Sequence, residues 1–102
     1  MVLTDNQTFT IDVISSEGLE ISNVTYPDIV NQNEPFIISY RVTNKGSNNN
    51  CWGRIIDNSI PMDIYGSRWQ ENISYNEYKD FSVDILGINI NLDITIEVGV
   101  YE

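Results

Sequence analysis

Ile88-Asn89-Ile90-Asn91-Leu92-Asp93-Ile94-Thr95-Ile96-Glu97-Val98-Gly99-Val100 is the stretch that decides the fold. Seven apolar residues occupy every second position, and each residue between them is polar or glycine. Successive side chains of a β-strand point to opposite faces, so this pattern puts Ile, Leu and Val on one face and Asn, Asp, Thr and Glu on the other. A helix would spread the same residues around its circumference. The run predicts a half-buried antiparallel strand. At about 3.3 Å per residue it is over twice the usual strand length, so a bend or bulge is expected between Gly87 and Asn91.

The rest of the chain must supply the opposing face of the core, and it does so in short alternating pieces. Phe36, Ile38, Tyr40 and Val42 share one face of a strand over 36–43, with Pro35 at its start, where a fixed φ and a missing donor are tolerated. Phe81, Val83 and Ile85 align within 78–86, and Leu19 to Tyr26 forms a further strand ending at Pro27-Asp28. Asn44-Lys45-Gly46-Ser47-Asn48-Asn49-Asn50 is a polar turn in which Gly46 suits a left-handed position, and Asn31 to Pro35 is another turn. Cys51 to Asp57 is a strand of ambiguous parity. Placing Cys51, Gly53 and Ile55 inward keeps Arg54 out of the core, so that parity is preferred. Met62 to Tyr65 reads as a short edge strand. Arg68 to Ser74 reads as a weaker strand with Trp69, Glu71 and Ile73 on one side. Seven or eight strands without a helix point to an immunoglobulin-like antiparallel β-sandwich, with a closed barrel as the rival.

Composition agrees. The chain has 102 residues, enough for one core, and 41% of them are hydrophobic. It has no Ala and thirteen Asn, a poor source of helix, while Ile, Val, Tyr and Phe suit a pleated surface. Fifteen Asp and Glu against five Lys and Arg give a net charge of −10, which repels phosphate backbones and argues against nucleic acid. The same charge favours solubility, a sufficient reason for it. Cys51 is the single cysteine, so no intramolecular disulfide can form, and a lone thiol in a strand reads as a small core residue. No apolar stretch reaches the length of a membrane span, and Met1-Val2-Leu3-Thr4-Asp5 lacks a signal-peptide pattern.

From Leu19 to Asp57 the arrangement resembles the CARDB family, the immunoglobulin-like, adhesion-related domains of bacterial and archaeal surface proteins. The residues that carry the likeness are Tyr26-Pro27, Glu34-Pro35-Phe36 and Val42-Thr43-Asn44-Lys45-Gly46, with Trp52-Gly53-Arg54-Ile55 and Ile96-Glu97-Val98-Gly99 later in the chain. They span about four-fifths of the sequence and are turn and strand signals that many sandwiches share. The resemblance implies a spacer or binding module on a surface and brings no catalytic residues with it. Residues 1–18 depart from the family pattern as an extra strand and tether, leaving 19–102 as the sandwich domain. In the extra strand, Phe9, Ile11 and Val13 share a face. It can fold back on its own sheet edge or cross to a neighbour's, and folding back carries no association entropy.

Chemistry narrows by elimination. The chain has no His to serve a Ser or Cys nucleophile, no Gly-x-Ser-x-Gly elbow and no phosphate loop. Asp80 with Asp84, or Asp57 with Asp63, are the carboxylate pairs that could do acid–base work, though on alternating strands they more often form a solvated face. They could bind Ca²⁺ weakly, yet no Asp-x-Asp-x-Asp-Gly loop accompanies them. The chain is therefore expected to be no enzyme and to need no cofactor. The sequons at Asn6, Asn23 and Asn72 match what thirteen Asn give by chance. Trp52 and Arg54 project together from the outer face under the preferred parity, an interface composition, unless Trp52 merely covers a sheet edge or a loop. The expectation is a structural or binding module making protein–protein contacts, through a partner or self-association, at a cell surface. A virion or filament subunit is the alternative.

Overall fold

The computed structural model of the chain describes residues 2–3, 9–16, 18–26, 29–30, 35–58, 61–64, 66–85 and 92–101. Among them all regular structure is β-strand: β1 (Val2–Leu3), β2 (Phe9–Ser15), β3 (Leu19–Thr25), β4 (Ile29–Val30), β5 (Phe36–Asn44), β6 (Asn50–Asp57), β7 (Met62–Asp63), β8 (Trp69–Asn72), β9 (Tyr78–Ile85) and β10 (Leu92–Val100). Eight of these build two sheets. One runs β3-β5-β9; the other runs β2-β10-β6-β7, with β8 also on β6. The two-residue strands β1 and β4 pair with each other. The all-β sandwich read from the alternation is therefore present. The bend expected at 87–91 and most of the 31–35 turn lie outside the described residues.

The two faces meet as the periodicity requires. Ile38, Tyr40 and Val42 of β5, Val83 and Ile85 of β9 and Leu19 of β3 are buried with Ile94, Ile96 and Val98 of β10 and Cys51 and Ile55 of β6. Cys51 is a small core residue, and the parity that keeps Arg54 out of the core is the observed one. Asp57, at the inner end of that alternation, is also buried.

Three expectations need correction. The terminal strand is antiparallel on one side only: β10 pairs antiparallel with β6 but parallel with β2, from Leu92↔Phe9 to Val98↔Ser15. Alternation is the same in both arrangements, so the sequence carries no signal for it. Gly46 does not take the left-handed conformation; Gly18, which faces it, does (φ +92°), and a Cβ on Gly18 would stand 2.8 Å from the Gly46 Cα. The two turns touch, and it is the partner across the contact that needs the special conformation. Thr95, on the polar face of β10, is buried, and its Oγ1 is satisfied there by Asn58 Nδ2, which donates to it at 2.9 Å.

Trp69 explains why Gly53 sits in the middle of β6. The two are cross-strand partners, and a Cβ on Gly53 would lie 2.4 Å from the indole. Trp69 stacks on Phe81 at 3.9 Å and donates from Nε1 to the Tyr40 hydroxyl at 2.7 Å, so it cannot easily step aside. Burial pushes the Tyr40 phenol above its usual pKa, partly offset by that bond. Gly53→Ala should accordingly lower the unfolding free energy by about 1–3 kcal/mol in urea titration, through overpacking.

Candidate functional site

The outer face of the five-stranded sheet carries an ordered polar chain. Arg54 of β6 donates from Nε to Glu97 Oε1 of β10 at 2.7 Å and from Nη1 to Asp63 Oδ1 of β7 at 3.1 Å. Asp63 Oδ2 accepts from Arg68 Nε at 3.0 Å and Nη2 at 2.7 Å. Cross-strand register sets up the first link, since Glu97 faces Arg54 across the β10–β6 ladder. The Arg68 hydrogen bond, helped by the charge of Arg54, holds the Asp63 carboxyl below the usual carboxylate range. The Glu97 hydrogen bond raises the Arg54 guanidinium further. Two cations and two anions thus alternate across three strands and the segment before β8.

Trp52 lies next to this chain, as the parity argument expects. In register it stands between Gly99 of β10 and Gln70 of β8. A Cβ on Gly99 would lie 2.7 Å from the indole Nε1, so the ring rests on the glycine backbone instead of standing off the sheet. The Arg54 Cζ is 5.7 Å from the ring centroid, a loose cation–π distance. Trp52, Arg54, Arg68 and Gln70 line an open groove of about 270 Å³. Sequence reasoning found Trp52 and Arg54 and missed Asp63, Arg68, Gln70 and Gly99. The signals for these were the Arg54 and Glu97 charges on facing strands and a glycine within an otherwise apolar and polar alternation.

The carboxylate pairs are not arranged as pairs. Asp57 faces inward and Asp63 pairs in register with outward-facing Ile56, so the two lie on opposite sides of the sheet. Asp80 and Asp84 lie four residues apart along β9, about 13 Å of strand, beyond the separations used in two-carboxylate hydrolysis. Asp80 accepts from Arg41 Nε at 2.8 Å and Nη2 at 3.3 Å, and this lowers its pKa. Among the described residues no group of three or more His, Cys, Asp or Glu is placed to hold a metal ion. Of the sequons, Asn23 and Asn72 are exposed, the latter donating to Asn50 Oδ1, and Asn6 lies outside the described residues.

A second surface is the edge made by β2. Ile11 packs partly against the core, while Val13 and Ile14 are 51% and 53% exposed. The inner-facing Val13 is open even though its register partner Ile96 is buried. Ser16 N donates to Val98 O at 3.1 Å, Leu19 N donates to Ser16 O at 3.1 Å, and Lys45 N donates to Gly18 O at 2.6 Å. β2 of one sheet thus ends close to where β3 of the other begins, at Ser15 and Leu19. Comparison of the chain with protein-family models, curated proteins and solved structures finds no match.

Proposed function

We propose that this sandwich is a non-catalytic structural or binding module that mediates protein–protein contacts in a surface-exposed assembly, the role implied by its resemblance to CARDB domains. The observation that carries the reading is β2. It is an apolar edge strand attached by a parallel ladder, with Asp12 through Ser15 all exposed. Its main chain is held along the β10 ladder, and a second copy offers the same edge. Folding back wins in dilute solution, where the short connection gives the strand a high effective concentration. In a crowded assembly the strand can be passed to a neighbour.

Cross-linking tests this. Ile14 and Glu97 are register partners, and Cys51 is buried, so it does not interfere. A mixture of full-length Ile14→Cys and Glu97→Cys chains at about 1 mM should give a covalent heterodimer on oxidation, well above an Ile14→Cys with Asn58→Cys control. A yield equal to the control would overturn the exchange. The same β2 geometry also favours a virion or filament subunit, because a strand handed in one direction builds an open chain while a reciprocal exchange closes a dimer. Light scattering on the cross-linked product separates the two.

A further inference from the structure

We infer that the groove over Trp52 is a carbohydrate-binding site that takes a neutral pyranose unit. This goes beyond the contact role of β2 and rests on a different face. The first ground is the posture of the indole. Lying on Gly99, it offers the groove a flat apolar platform. The negative π face of an aromatic ring attracts weakly positive C–H groups, and a pyranose presents a row of axial C–H bonds on one face.

The second ground is what surrounds the platform. A sugar ring bears neighbouring hydroxyls around its edge, each both donor and acceptor. Planar fork-shaped side chains match adjacent hydroxyls two at a time. The groove is lined by such groups: the Gln70 amide and the Arg54 and Arg68 guanidiniums, the Arg68 side chain being 60% exposed. The ion-pair chain Glu97–Arg54–Asp63–Arg68 fixes both guanidiniums in advance, so less ordering is needed on binding.

Charge decides the class of ligand. The four ionic groups sum to zero on a chain of net −10. Each guanidinium already faces a carboxylate, so an added anion gains little, and a cation meets the same compensation. An elongated apolar ligand would find one indole and otherwise polar walls. A neutral polyol satisfies the platform and its rim together. One aromatic platform and a few hydrogen bonds support an affinity on the order of 1 mM, which an assembly presenting many copies would multiply.

The test uses the full chain and four neutral probes: the cello-, xylo- and manno-oligosaccharides and the fully N-acetylated chito-oligosaccharide, each a hexamer. Trp69 is on the opposite face of the sheet, stacked on Phe81 and bonded to Tyr40, so a saturable change in tryptophan emission reports on Trp52. At least one probe should give such a change below about 10 mM, unaffected by about 0.5 M NaCl. It should vanish in Trp52→Ala. It should weaken roughly tenfold in Gly99→Ala, which keeps the indole but lifts it off the strand, and in Gln70→Ala, which leaves the platform untouched. Three results would each overturn the assignment: no saturable change with any probe, a change that persists in Trp52→Ala, or one that salt abolishes. Strand exchange by β2 is unaffected by any of these outcomes.

Discussion

Ile96→Ala should reduce the unfolding free energy by about 2–4 kcal/mol, a large share of what a domain of this size possesses. Ile96 is fully buried in β10, between Ile55 on one neighbouring strand and Val13 on the other. Its side chain belongs to the cluster that Ile38 and Tyr40 enter from the opposite sheet. Truncation removes apolar contact and leaves a void that paired strands on both sides prevent from closing. Urea denaturation should show a lower midpoint with an unchanged slope. A loss under about 0.5 kcal/mol would mean that the site is not enclosed.

Asn44→Ala should be nearly as damaging, at about 2–3 kcal/mol, for a polar reason. Asn44 is fully buried at the end of β5. Its Nδ2 donates to Asn48 O at 2.9 Å and Ile73 O at 2.7 Å, and its Oδ1 accepts from Gly46 N at 2.8 Å. One amide thus fixes the turn after β5 and ties it to the segment after β8. Alanine leaves the Ile73 carbonyl without this donor in the interior. The melting temperature should fall by roughly 10–20 °C. Asn44→Asp should not rescue it, since a carboxylate accepts from Gly46 but cannot donate to two carbonyls. Recovery by Asp would show that the turn needs only the acceptor.

Strict alternation at Phe36 to Val42, Phe81 to Ile85 and Ile94 to Val98 made the sandwich core legible, because face assignment follows directly from a period of two. Arg54 resolved the parity of β6 because burying an unpaired guanidinium is costly. What the sequence concealed depends on neighbours distant along the chain. Gly18 and Gly46 look alike until their turns meet. Trp69 reads as one member of a weak strand until Gly53 lies beneath it. The parallel pairing of β2 leaves no trace in its periodicity. The candidate site was half legible: Trp52 and Arg54 follow from parity, whereas Arg68 and Gln70 reach the groove, and Asp63 reaches the two arginines, only once β7 and β8 share the length of β6.

The parallel ladder between β2 and β10 sets an order of events during synthesis. Ser16 bonds to Val98, 82 residues further along the chain. At a ribosomal rate of about 5–20 residues per second, β2 would emerge roughly 4–16 seconds before its partner strand exists. Throughout that interval Phe9, Ile11, Val13 and Ile14 wait on an unpaired backbone. A copy finished earlier offers its β10 to the β2 of a chain still being made. β2 is made long before the strand it pairs with, and a neighbouring copy can claim it first.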